Sequence, residues 1–226
     1  MSDSPSHLAD RTLTRADLLA LGDEPHTLVD CDLAEADLSG LDLARWTFER
    51  CDLRAVDLRG ANLEGSRLHA ARAARAQLTG ADLGEAQVSR CDLNNARLAR
   101  ATLSGAVITG CKLTGADLTE TRAFDVRIEE TLLVNARLQG WSFRRKTLER
   151  LDFTQADLTA CDFREATFVE SSLREATLDK ARFEGADLRG ADLGGVRLGD
   201  AARFRGATIS RAQAGELLGE LGLKVR

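Results

Sequence analysis

The chain has 226 residues, 43% of them apolar and 30% charged, which excludes a wholly disordered polypeptide. Eight Phe, two Trp, no Tyr and one Met exclude a conventional aromatic-rich core, so the core must be built from many small units. The net charge of −5 is uneven: residues 66–150 carry fourteen bases against nine acids, whereas 26–65 carry four against nine. Residues 1–25 and 151–226 are mildly acidic. Such segregation reads either as oppositely charged surfaces that steer partners or as a well-solvated mixed surface.

The first 25 residues are read as an N-terminal segment or cap. The stretch 14–22 is a candidate short helix, with Leu18, Leu19 and Leu21 covering the start of the region beyond residue 26. Met1 to Asp10 is polar and has no signal-peptide core. No stretch approaches eighteen consecutive apolar residues. The odd count of five cysteines, with no C-x-x-C spacing, fits a reducing compartment, and the expected location is cytoplasmic.

From residue 26 a five-residue period takes over. Every fifth position from Leu28 to Leu198 is Leu, Phe, Ile or Val, with Ala73 and Ala123 as the departures. Two residues before each centre the chain is mostly Ala, and all five cysteines fall in this phase. The residue just before the centre is often Asp, and the last position of the unit holds eleven of the nineteen glycines. On an α-helix successive centres would be about 140° apart and form no stripe. Small, polar, large is instead an in–out–in strand step, and two outward residues then turn the corner. Stacked coils of such units bury what one unit cannot.

The chain resembles the pentapeptide-repeat proteins. That resemblance implies an all-β, right-handed quadrilateral parallel β-helix with four units per twenty-residue coil. It would span residues 26–209 and be followed by a short C-terminal helix. At about 4.8 Å per coil, nearly nine coils would extend about 42 Å. The register expects Phe143, Phe163 and Phe183 in one column, Cys31 over Cys51, and Cys91 over Cys111.

The repeat is imperfect in three windows. The window 68–75 loses its centre at Ala73 and is a candidate bulge or loop, with Ala71, Arg72 and Arg75 projecting. The window 121–125 loses its centre at Ala123, and Arg122 and a displaced Phe124 are further candidates. At 141–146, Trp141 and Lys146 take positions meant for Ala, and Arg144, Arg145 and Lys146 form a basic run. That run should distort outward, or Lys146 should snorkel to solvent. Imperfect repetition without any loop is the competing reading at each window. After Leu198 the phase slips by one residue, through Phe204 and Ile209. Ser210 can then cap a helix to about Leu221, with Gly222 at its C′ position. Residues 210–226 are read as this helix, with Ala214, Leu217, Leu218, Leu221 and Leu223 as a dimer contact; a plain end cap is the alternative.

The segment from Ala212 to Val225 is similar to the C-terminal helix of Qnr-type quinolone-resistance proteins. The stretch Leu28-Val29-Asp30-Cys31-Asp32-Leu33 is similar to their mycobacterial, MfpA-like relatives. What this group implies is a homodimer joined through its C-terminal ends, which binds DNA gyrase and topoisomerase IV, partly by imitating duplex DNA, and protects them from quinolones. A scaffold or regulatory binding module unrelated to topoisomerase is the alternative function. Candidate topoisomerase-facing acids are Asp32, Asp37 and Asp42 near one end, and Asp152, Asp157, Asp162, Asp187 and Asp192 nearer the tail. Duplex DNA carries about 25 charges over 42 Å, so a net charge of −5 allows only local imitation. The competing role for these Asp residues is bonding to corner backbone. Buried thiols are read as small apolar groups. His7, His26 and His69 are too dispersed for a metal cluster, and no P-loop, dinucleotide or nucleophile-elbow motif occurs. The chain is therefore read as a non-enzyme with no metal and no cofactor, contacting neither nucleic acid directly nor membrane.

Overall fold

The computed structural model describes residues 7–22, 24–196, 203–220 and 222–224. They fall into two compact units, Met1–Arg127 and Ile128–Arg226. Each is a parallel β-solenoid, and the second ends in a short helix.

In the first unit, β1 (His7–Ala9) pairs in parallel with β2 (Thr27–Val29), and β2 with β3 (Thr47–Glu49). β4 (Arg67–His69), β5 (Gln87–Ser89) and β6 (Val107–Thr109) continue the ladder. Every pairing is offset by twenty residues. Three further ladders run through Asp32 and Asp52, Asp37 and Asp57, and Asp42 and Asn62, so each turn has four sides. The chain enters the second unit within β7 (Arg127–Glu129). There β8 (Thr147–Glu149) pairs with β9 (Thr167–Val169), and β10 (Ser171–Ser172) with β11 (Ala191–Asp192), again in parallel.

The five-residue unit makes a corner for a specific reason. The Leu33 carbonyl accepts from Ala36 N–H at 3.1 Å, and Glu35 between them has φ of 61°. That is a type II turn, whose third residue needs positive φ and so favours Gly. Here Arg45, Arg100 and other non-glycine residues adopt it too, each at an expense of about 1 kcal/mol or more.

The centres fill the interior. Phe143 stacks on Phe163 at 5.1 Å and 8°, and Phe163 on Phe183 at 4.9 Å and 9°, the column expected from the register. The phase slip extends it: Phe204 stacks on Phe183 at 4.9 Å, and Asp187 pairs with Thr208, an offset of twenty-one.

Three expectations need correction. At 68–75 no loop forms. Arg72 pairs with both Asp52 and Asp92, and Ala73 N–H donates to Asp92 O at 2.7 Å. Ladder bonds are main-chain bonds, so a missing centre does not break them; Ala71 is buried, and only the side chains of Arg72 and Arg75 reach out. The basic window also stays in register, since Phe143 N–H donates to Asp162 O, Arg145 N–H to Arg164 O, and Lys146 O accepts from Thr167 N–H. Lys146 is half-buried and Trp141 packs inside against Phe143. Third, the solenoid starts before residue 26. Leu13 is buried and donates its N–H to Asp32 O, and Thr12 pairs with Asp32.

The helix α1 (Arg15–Leu21) interrupts that first turn. Thr14 and Asp17 form a capping box, and Leu18 is buried, whereas Leu19 is exposed. Among the described residues no helix is long and apolar enough to cross a membrane.

Candidate interaction surfaces

The outward Asp of each unit is first a turn residue. Its Oδ1 accepts the N–H two residues on: from Ala34 at Asp32 (3.0 Å), Ser39 at Asp37 (3.0 Å), Ala44 at Asp42 (3.1 Å), Thr154 at Asp152 (2.9 Å) and Thr159 at Asp157 (3.0 Å). Arg164 and Arg189 do the same for Asp162 and Asp187, and Gly194 for Asp192. Asn62 and Ser172 make the same bond where Asp is absent. The need is therefore for an acceptor at the corner, and charge is secondary.

Many of these carboxylates are neutralised by the next outward residue. Arg54, Arg59, Arg164 and Arg189 each grip the Asp two positions earlier. The Arg189 guanidinium and then its backbone N–H hold Asp187 down at about 2. Arg54, Arg59 and Arg164 lower Asp52, Asp57 and Asp162 in the same way. Burial opposes ionisation of Asp157, but bonds from Thr159 and Gln139 outweigh it. Asp192 pairs with Arg174, and Asp37 with Arg15 of α1. Among the described residues, Asp32, Asp42, Asp152 and Asp157 are the candidate acids that form no ion pair, although the charge of Arg137 also lowers Asp157.

At the other end, α2 (Arg211–Glu220) begins at a capping box. Ser210 Oγ accepts from Gln213 N–H, and Gln213 Oε1 from Ser210 N–H. Gln213 Nε2 then donates to Leu188 O and Ala191 O, each at 2.7 Å, which fastens the helix to the last turns. Sequence reasoning missed this residue, although Ser-x-x-Gln was its signal. Leu217 is buried against an apolar cavity of about 140 Å³ that Leu188, Phe204 and Ile209 also line. Leu217 thus serves as a lid rather than a free contact. Ala214 is half-buried, Leu218 and Leu223 are exposed, and Leu221 lies outside the described residues. Gly222 has φ of 80°, and Leu223 N–H bonds to Leu218 O, as in a Schellman end.

The candidate projecting residues differ from one another. Arg144 and Arg145 both bind Glu165, and Arg72 binds Asp52. Arg122 is exposed, and Phe124 is 83% exposed.

The thiols have a role that spacing alone did not reveal. Cys31 donates to Val29 O, Cys51 to Glu49 O, Cys91 to Ser89 O and Cys111 to Thr109 O, at 3.4–3.5 Å. Thr131 and Ser171 do the same for Glu129 and Val169. All six sit at the corner that ends the longer strands, and their side chains satisfy carbonyls there. Burial pushes Cys51 up to about 11 and Cys161 up to about 12, so neither is a thiolate at neutral pH. An open hollow of about 580 Å³ touches Arg150, Asp152 and Asp192, but Arg150 is held by Glu130 and Glu149 and Asp192 by Arg174.

Parallel four-sided turns, built from five-residue units with an Asp or its substitute at each corner, define a repeat solenoid. Models of the pentapeptide repeats match residues 27–65, 47–84, 81–120, 131–169 and 168–201, and the chain belongs to the pentapeptide-repeat family. Among solved structures, full-length QnrB1, a plasmid-mediated fluoroquinolone resistance protein, aligns with a TM-score of 0.61 at 20% identity. The alignment covers 97% of this chain and 98% of QnrB1. A trypsin-treated QnrB1 variant gives 0.58 at 16%, over 98% of each chain. At these identities the likeness establishes a shared fold. No curated protein matches the chain.

Proposed function

We propose that the protein is a non-enzymatic partner of a bacterial type II topoisomerase, DNA gyrase or topoisomerase IV, in the cytoplasm. It protects the enzyme from quinolone-like drugs or toxins. The observation that supports this reading is the alignment with QnrB1, a fluoroquinolone resistance protein, over 97% of this chain and 98% of QnrB1. Competition with DNA would be local. It would use carboxylates that no arginine neutralises, Asp32 and Asp42 in the first unit and Asp152 in the second. Two copies pair through their C-terminal ends, with Leu218 and Leu223 as the contact, since Leu217 is already taken by its own solenoid.

The test is gyrase supercoiling and quinolone-induced cleavage, with and without the protein. Protection from drug-induced cleavage supports the proposal, and no effect on either activity at stoichiometric excess removes it. Sedimentation of Leu218→Asp tests the dimer separately: an unchanged mass refutes pairing through this end.

A further inference from the structure

We infer that Phe124 is an aromatic anchor that inserts into an apolar socket on the partner protein, an inference that rests on the topoisomerase reading above. Each described repeat centre from Leu28 to Leu193 is buried except Ala123. A Leu or Phe there would bury a side chain worth about 2–3 kcal/mol. The chain instead places the bulky group one position later, where it faces outward and is 83% exposed. Two linked departures, a vacated centre and a displaced ring, cost the fold stability and return nothing to it.

The ring does not stand on a loose loop. Arg122 N–H donates to Ala101 O at 2.9 Å, Leu103 N–H to Arg122 O at 2.8 Å, and Gly105 N–H to Phe124 O at 3.0 Å. Asp125 closes the corner at φ 53°, like its counterparts in other turns. The backbone under Phe124 is thus already ordered, and binding would freeze only two side-chain torsions. The same outward position in the two preceding turns holds Gly84 and Ser104, so the ring rises above a low surface. Arg122 beside it is exposed and forms no ion pair among the described residues. An aromatic residue next to an Arg, on a rigid base, is the composition of an interface hot spot. The complementary partner surface is an apolar pocket with a carboxylate on its rim.

The experiment measures affinity of the full-length protein for DNA gyrase by biolayer interferometry. It compares wild type, Phe124→Ala, Phe124→Leu and Arg122→Glu, and records the melting temperature of each. The expected result is a loss of about tenfold or more for Phe124→Ala, a smaller loss for Phe124→Leu, a loss for Arg122→Glu, and unchanged melting. If wild type binds and Phe124→Ala binds within about threefold of it, the anchor falls and the topoisomerase reading stands. If wild type does not bind, that reading falls and takes the anchor with it. A loss that tracks lowered melting overturns the anchor by making Phe124 structural. Wild-type binding to a fluorescent DNA duplex that Phe124→Ala abolishes overturns the choice of a protein socket.

Discussion

Gly190 occupies the same position in its five-residue unit as ten other glycines, yet it is held for a different reason. Gly140 has φ of 76°, and a Cβ there would meet nothing within 4 Å. Replacing Gly140 with Ala therefore brings only the left-handed backbone penalty, about 1 kcal/mol. Ala160 tolerates the same conformation at φ 60°. A Cβ on Gly190 would instead overlap the Phe168 carbonyl oxygen and lie 3.2 Å from Phe168 C and Val169 Cα. Those atoms belong to the preceding turn, which Arg150 N–H to Val169 O and Ser171 N–H to Gly190 O hold on either side. Neither wall can give by moving a side chain. Overpacking costs about 1–3 kcal/mol, and parting the turns also loses a ladder bond of about 1 kcal/mol. Gly190→Ala should therefore destabilise the second unit by about 2–4 kcal/mol, and Gly140→Ala by about 1. Urea denaturation would be followed by far-UV circular dichroism and by Trp141 fluorescence in a Trp46→Phe background. Both tryptophans are buried, and one lies in each unit, so this background reports the second. Equal midpoints for the two glycine variants would refute the reasoning.

Three other expected outcomes rest on single groups. Ser66 is fully buried and its hydroxyl has no hydrogen-bond partner among the described residues; Ser66→Ala should stabilise by about 1 kcal/mol, read as a rise of a few degrees in melting temperature. Asp187 is held at about 2, below its ordinary 3.8, so its contribution to stability is complete above about pH 4 and is lost as pH falls through 2. Asp187→Asn should flatten the dependence of melting temperature on pH between 4 and 2, and an unchanged slope would count against the Arg189 pair. Cys51→Ser should keep the bond to Glu49 O, as Ser171 does at its own corner, whereas Cys51→Ala should cost about 1 kcal/mol in chemical denaturation.

The period, the twenty-residue register, the phenylalanine column and the slip after Leu198 were all legible, because interior side chains impose them. The first turn was not. Leu8 and Leu13 lie in phase with Leu28 and Leu33, but two centres with a helix after them are too few to announce a repeat. The bulge or loop expected at 68–75 and the outward distortion expected at 141–146 failed for the converse reason: side-chain pattern marks where the interior is irregular, whereas main-chain bonds decide whether the coil continues. The contacts of the terminal helix were only partly legible, because an apolar helical stripe does not say what covers it. Gln213 and Leu217 turn that stripe toward the last turns.

Charge was the least legible quantity, because the unit couples acid and base. An Asp accepting the N–H two residues on places its carboxylate beside that residue's side chain. When that residue is Arg, as at 54, 59, 164 and 189, the acid becomes part of a surface pair. Counting Asp along the sequence therefore overstates the negative field a partner meets. The first full turn is a case in point. Asp32, Asp37 and Asp42 lie on successive sides, but Arg15 of α1 donates to Ser39 O and sits 3.6 Å from Asp37, so the helix that covers this turn also masks its middle acid. Two separated carboxylates are a weak imitation of a phosphate backbone. On the proposed function, discrimination by this surface would then rest on outward residues the turn does not require, and within the first unit Phe124 and Arg122 are exposed residues of that kind.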